Sequence, residues 1–99
     1  MPDLFISGSQ LVGTTDAAIG TSGNAVRVFN IHIITSGITA AVVSLRNGTA
    51  AGATAYVTES GTASTGKTID YGMKGVLFPA GCFCDVDGNT TSVLVAFSQ

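Results

Sequence analysis

The sequence predicts a small all-β domain, either a β-sandwich or a jelly-roll-like antiparallel fold. Thirteen glycines divide the 99 residues into short segments, and Thr and Val dominate between them, as is typical of strands. The segments recur about every eight to twelve residues, a spacing that favours a sandwich over a parallel sheet. No window carries a long helical period free of glycine and β-branched residues, so no helix longer than two turns is expected.

The first half of the chain predicts two short strands, a loop and one long strand. The short strands span 3–7 and 10–14, the loop spans 15–24, and the long strand spans 25–35. Both faces of the long strand are partly apolar, which predicts a central position in its sheet. One face carries Phe29, Ile31 and Ile33, and the other carries Val28, Asn30, His32 and Ile34.

The second half predicts six further strands separated by turn residues. After a turn at Ser36-Gly37, strand 39–46 ends at Asn47-Gly48, a strong turn signal. Strands 54–59, 67–71 and 76–78 follow. The last two strands, 82–86 and 91–97, are predicted to pair around Asp87-Gly88-Asn89. We therefore divide the chain into an N-terminal arm or edge strands (1–24) and a β-sandwich domain (25–99).

Charge is scarce in this chain, and that scarcity limits its function. Only 10% of residues are charged and the net charge is -2, against about 25% charged residues in a typical domain. No basic patch is available to attract nucleic acid. The mean hydropathy of +0.48 predicts apolar surface that self-association or docking on a larger body covers. With no signal peptide and no apolar run of ~20 residues, we expect a chain made in the cytoplasm that does not enter a membrane.

One motif matches a nucleotide-binding loop letter for letter. Residues 61–68 read GTASTGKT, the P-loop pattern, whose Lys and backbone amides hold phosphates at the start of a helix. Gly72, Gly75 and Pro79 follow closely, and glycine and proline cost about 1 and 3 kcal/mol in a helix. We therefore expect a hairpin loop with an exposed Lys67 and no bound nucleotide.

The remaining chemical side chains have structural interpretations. Cys82 and Cys84 lie two apart on one strand face, a poor spacing for a mutual disulfide, and we expect reduced, buried thiols without metal. Residues 85–89, DVDGN, resemble the start of a calcium loop but lack its glycine and glutamate positions. His32 has no Ser/Asp partners to form a catalytic set, and Asp70 with Lys67 or Tyr71 lacks context. We expect no enzyme and no cofactor.

From Val26 onward the chain resembles a family of short tailed-bacteriophage virion proteins, some of them head-decoration proteins. The resemblance covers about three quarters of the chain through VRVFNIHIITSG, VVSLRNGTAAGATAY, TIDYGMKGVLFPAGCFCDV and TTSVLVAF. The run from Gly75 to Gly81 is its most telling part, and Phe97 stands where the family often has Tyr. The resemblance implies a small β-sandwich in a virion, without saying in which part.

Two functions remain open from the sequence. The first is a capsid decoration, or cement, protein on the capsid exterior, a homotrimer that clamps the major capsid protein. The second is an exterior host-binding knob or tail-fibre module, for which an aromatic pair beside polar groups is expected; Tyr56 and Tyr71 are the only tyrosines. In the first case, the apolar Leu4, Phe5 and Ile6 are expected to pack on a neighbouring copy or on the shell as an added edge strand.

Overall fold

The structure, a computed structural model, describes residues 5–35, 39–61 and 66–99 of the chain. Within these ranges there are nine strands and no helix, which confirms the predicted all-β class. The strands are β1 (Gly8–Val12), β2 (Ala17–Ile19), β3 (Val26–Thr35), β4 (Val42–Asn47), β5 (Thr54–Ser60), β6 (Lys67–Asp70), β7 (Val76–Phe78), β8 (Cys82–Val86) and β9 (Thr90–Ser98). The described residues contain no helix that could cross a membrane.

The strands form two antiparallel sheets that pack as a β-sandwich. The five-stranded sheet has the order β1-β9-β3, with β6 and β7 both pairing with the far side of β3. The four-stranded sheet has the order β2-β8-β4-β5. The predicted central position of β3 is confirmed, because β9 flanks it on one side and β6 and β7 on the other.

Aliphatic side chains from both sheets fill the space between them. Because successive residues of a strand point to opposite faces, alternate positions of each long strand are buried. The five-stranded sheet contributes Val12, Val26, Val28, Ile31, Ile33, Val93 and Val95, and the four-stranded sheet contributes Ile19, Val43, Leu45, Cys82 and Cys84. Phe78 of β7 also belongs to the five-stranded sheet, and Ala41, just before β4, completes the buried cluster.

A β-bulge changes the predicted faces of β3. Its register with β9 shifts between Val28 and Asn30, which leaves Phe29 without a partner opposite. A bulge inserts one extra residue and so resets the alternation. Val28 therefore shares the core face with Ile31, contrary to the prediction, while Phe29 is buried outside the main core cluster.

Two predicted hairpins are wrong because the chain crosses between the sheets. β8 pairs with β2 and β4, whereas β9 pairs with β1 and β3, so the turn at 87–89 joins the two sheets. The GTASTGKT segment likewise leads from β5 of one sheet to β6 of the other. The turn predicted at Asn47-Gly48 is confirmed, and it connects β4 to its antiparallel partner β5. The turn predicted at Ser36-Gly37 lies outside the described residues.

The N-terminal region supplies one edge strand to each sheet. β1 pairs with β9 and lies two residues earlier than the predicted strand 10–14. β2 pairs with β8 inside the predicted loop 15–24, which is a correction. Residues 5–7 are not part of a strand, contrary to the prediction for 3–7. The Gln10 side chain links the two edges, donating to the carbonyl of Ala18 and accepting from the amide of Gly20, both at 2.8 Å.

Candidate docking surface

The outer side of the five-stranded sheet carries a row of exposed apolar side chains. Leu11 of β1 lies opposite Leu94 of β9, and Leu94 lies opposite His32 of β3. Their neighbours Val12, Val93 and Ile33 point into the core, so this row points outward. Leu11, Leu94 and Ile34 are 65%, 42% and 39% exposed. We call these three residues the apolar row.

An open groove of about 460 Å³ continues this surface towards the N-terminus. We call it the N-terminal groove, and its lining consists of Phe5, Ile6, Phe29, Asn30, Asp70, Gly72 and Met73. The bulge turns Phe29 towards this side, where it is only 5% exposed, while Phe5 and Met73 are 82% and 91% exposed. Apolar side chains therefore cover both the middle of the sheet and this end of it.

Charged groups lie at the margin of this side and not at its centre. Asp70 sits on the outer strand β6, where its carboxylate accepts a 2.8 Å hydrogen bond from the amide of Gly72. Arg27 lies near the start of β3 and donates to the carbonyl of Lys74 at 2.8 Å. Among the described strand residues that flank the apolar row, His32 is the only ionisable one. Its ring forms a hydrogen bond with the hydroxyl of Thr68.

The outer side of the four-stranded sheet has the opposite character. Arg46 of β4 forms an ion pair with Asp85 of β8 at 3.0 Å, and it also donates to the carbonyl of Ala53. Ser44 and Thr58 bond to each other at 3.2 Å. These polar groups satisfy one another, and Phe83 of β8, opposite Arg46, lies beside them on the same side. Of the eight large apolar side chains exposed in the described ranges, six lie on the other side.

The residues predicted to make intermolecular contact are only partly placed. Leu4 lies outside the described residues. Phe5 and Ile6 line the N-terminal groove beside Phe29 of their own domain, and they are not part of a strand. The strand pairing begins with the amide of Ser7, which donates to the carbonyl of Phe97 at 2.9 Å. Phe5 and Ile6 are thus presented on the surface from the edge of the five-stranded sheet.

The two cysteines are free and buried, in agreement with their predicted state in this chain. Burial, followed by the nearby Cys84, raises the pKa of the Cys82 thiol well above its ordinary range. Burial and the charges of Asp16 and Asp85 raise the pKa of Cys84 to about 12. Both thiols are therefore neutral and shielded at physiological pH, which suits core side chains and not nucleophiles.

The P-loop-like segment lacks the helix that phosphate binding needs. Residues 62–65 lie outside the described ranges, but strand β6 begins at Lys67, where a P-loop requires a helix N-terminus.

Tyr71, just after β6, donates to the carboxylate of Glu59 at 3.3 Å. Burial, and then the charge of Glu59, raises the pKa of Tyr71 well above its ordinary range. This hydrogen bond joins the two sheets and holds the tyrosine protonated.

The calcium-like sequence at 85–89 forms a structural turn. One Asp87 carboxylate oxygen accepts hydrogen bonds from the amide of Asn89 and the hydroxyl of Thr90, and the other accepts from the amide of Val42. Desolvation raises the pKa of Asp87, but these hydrogen bonds outweigh it and hold the pKa below its usual value. Across the described parts of the chain, no three His, Cys, Asp or Glu side chains are grouped to hold a metal ion.

Sequence reasoning missed Ile34 and Leu94 as surface residues. The signal was present in β9, where Val93, Leu94 and Val95 form an uninterrupted apolar run. Such a run indicates a strand that is covered on both faces. In this chain only the inner face is covered, because Leu94 remains exposed.

The fold and surface together define a class: a small β-sandwich whose exposed large apolar side chains are concentrated on one side. No family model, curated protein or solved structure matches the chain.

Proposed function

We propose that this chain is a structural protein of a tailed-bacteriophage virion, a decoration (cement) protein on the exterior of the capsid. The observation that carries the proposal is the concentration of six exposed apolar side chains on one side of the sandwich, whereas the other side carries paired polar groups. An apolar side of this kind is typical of surfaces that another protein covers. Its partners are the major capsid protein and further copies of the chain, in a homotrimer.

A non-enzymatic role is part of the proposal. The side chains that could carry chemistry have structural partners: Tyr71 bonds to Glu59, Asp85 pairs with Arg46, and Asp87 holds a turn. Within the described residues these three partnered groups lie in different parts of the sandwich, which supports a role that does not need an acid, a base and a nucleophile on one substrate. The resemblance of residues 26–97 to phage virion proteins supports the same role.

Within this function, the N-terminal groove is the contact with the shell. Phe5, Ile6 and Met73 project from it and are more than half exposed. Each fully buried apolar side chain of this size contributes roughly 1.5–3 kcal/mol. Insertion of these three side chains between capsid subunits would hold the domain on the shell without charged contacts.

Copy number on the particle tests the assignment. Virions of the phage that encodes the chain are purified on a density gradient, and the ratio of this chain to the major capsid protein is measured by quantitative mass spectrometry. A decoration protein is present in hundreds of copies on the head. A few tens of copies at one vertex would place it in the tail, and its absence from washed particles would contradict the proposal.

An add-back experiment tests the groove. Particles stripped of the protein are incubated with wild type or with the double variant Phe5→Ser/Ile6→Ser, and bound protein is measured after sedimentation. We expect the double variant to lose shell binding. Val42→Thr is the control, because Val42 is a 40% exposed apolar residue on the opposite sheet. These substitutions are sharper than deletion of residues 1–9, which would remove Gly8 and Ser9 of β1.

The alternative function, a host-binding knob or tail-fibre module, has one observation in its favour. The N-terminal groove places the exposed ring of Phe5 near the polar side chains of Asn30 and Asp70, and sugars bind between aromatic rings and such polar groups. Binding to host surface glycans on an array, lost in Asn30→Ala, would favour this function. Wild-type protein that binds no glycan but coats stripped particles would favour decoration.

A further inference from the structure

We infer that the apolar row (Leu11, Ile34 and Leu94) is the surface by which copies of this chain associate with one another. The inference deepens the proposed structural role: it assigns self-association to the middle of the five-stranded sheet and leaves the shell contact to the N-terminal groove. The occupant is a second copy of the same sandwich.

The charge distribution favours a second copy as the occupant. The centre of this side is uncharged apart from the His32 imidazole, whereas its margin carries both signs, with Arg27 and Lys74 at one end and Asp70 on the outer strand. Two copies that meet here bring no surplus of like charge together. An apolar centre with a polar margin is also the usual anatomy of protein interfaces.

The size of the surface is sufficient for a stable contact. The extents of the molecule are 40, 27 and 18 Å. A face on this scale has room for the ~800 Å² per partner that a standard interface buries, with the apolar row at its centre. Leu94, at the middle of the sheet, would be shielded from water by the facing copy.

The edge of the sheet next to the row adds to this surface. β1 is an outer strand without proline, bulge or charge, and proteins commonly use those features to prevent edge-to-edge pairing. Its exposed Leu11 continues the row to that edge. By contrast β5, the outer strand of the other sheet, carries a bulge opposite Leu45 and Arg46 and the charged Glu59. The unprotected edge and the apolar row are thus adjacent.

Sedimentation equilibrium of the purified full-length chain tests the inference. We expect wild type to form dimers or trimers at low micromolar concentration, and Leu11→Lys and Leu94→Thr each to weaken association at least about tenfold. Threonine keeps the strand preference at position 94, and position 11 is on an outer strand, so both variants should fold; circular dichroism checks this. Ala55→Asp, an added charge beside Arg46 on the opposite sheet, should associate like wild type.

Two results would overturn the inference: a wild-type monomer up to several hundred micromolar, or association that folded Leu11→Lys and Leu94→Thr leave unchanged. Its failure is distinguishable from failure of the proposed function. A chain that coats particles as a monomer overturns only the inference. A chain that associates through the apolar row but is absent from virions overturns only the decoration role.

Discussion

Replacement of Gly75 by alanine should destabilise the fold much more than the same replacement at Gly72, in the same loop between β6 and β7. Both glycines have positive φ, +85° at Gly72 and +62° at Gly75, a backbone region that costs an L-residue about 1–2 kcal/mol. The two sites differ in their surroundings. An added Cβ at Gly72 meets nothing within 4 Å, whereas at Gly75 it would lie 2.4 Å from the carbonyl oxygen of Val28.

The expected loss of stability depends on which part of the fold must move to make room for the new Cβ. Val28 pairs with Val76, the residue after Gly75, and it lies beside the bulge in β3. Relief of the contact therefore requires β7 to separate from β3 or the bulge to shift, and overpacking of this kind costs about 1–3 kcal/mol. Alanine also stabilises by about 0.4–1 kcal/mol through the unfolded state. We expect a loss of about 1 kcal/mol for Gly72→Ala and about 2–4 kcal/mol for Gly75→Ala.

Urea unfolding followed by circular dichroism measures both losses. Gly52→Ala is the control, because Gly52 has neither a positive φ nor a neighbour within 4 Å of an added Cβ; its free energy of unfolding should stay within about 0.5 kcal/mol of wild type. If Gly75→Ala proves as mild as Gly72→Ala, the close approach of β7 to β3 is not a constraint and the reasoning fails.

Three further predictions concern pH and hydrogen bonds. The native state keeps the thiols of Cys82 and Cys84 protonated because their pKa is raised, whereas in the unfolded chain a thiol ionises at about pH 8.5. Their contribution to stability is therefore complete below that pH and is lost as the pH rises above it. The loss should reach roughly 2 kcal/mol per thiol at pH 10. Urea titrations at neutral pH and near pH 10 measure this loss, and Cys84→Ala should reduce it; equal slopes would contradict the cause. Asp87→Ala leaves two backbone amides and a hydroxyl without their acceptor, and it should lower the free energy of unfolding by about 1–3 kcal/mol. Asp85→Ala breaks a partly exposed ion pair and should lower it by no more than about 1 kcal/mol. Similar losses for the two variants would refute the distinction. Gln99→Ala removes the side-chain amide that bonds to Thr21 and Asn24 and should cost about 1–2 kcal/mol in thermal unfolding, while an unchanged melting temperature would show that this tether is dispensable.

Most strand positions could be predicted because they depend on local composition. β3, β8 and β9 lie within a residue or so of the predicted ranges, since β-branched and apolar residues in alternation end abruptly at Gly, Asn or Asp. β2 could not be predicted. Its three residues, Ala17–Ile19, have little strand preference of their own, and they extend because they pair with β8 and because Asp16 accepts from the amide of Val86.

The pairing of strands depends on distant contacts that local sequence does not reveal. Asp87-Gly88-Asn89 correctly predicts a reversal of the chain, but a reversal can return a strand beside its predecessor or send it to the other sheet. Here Asp87 is anchored 45 residues away, by the amide of Val42 at the start of β4. That anchor fixes the turn at the rim of the sandwich, so β9 enters the opposite sheet.

The same dependence on distant contacts explains why the presence of an exposed apolar surface could be predicted from the sequence, whereas its position could not. Scarce charge and high hydropathy predict that apolar surface is left over after the core is filled, and six exposed apolar side chains on one side agree with that expectation. A metal or nucleotide site is built from residues whose spacing is recognisable. Leu11, Ile34 and Leu94 share no motif, and they become one surface only because β9 inserts between β1 and β3. An interface made of aliphatic side chains is therefore a property of strand order, and it becomes visible only after the sheets have been assembled.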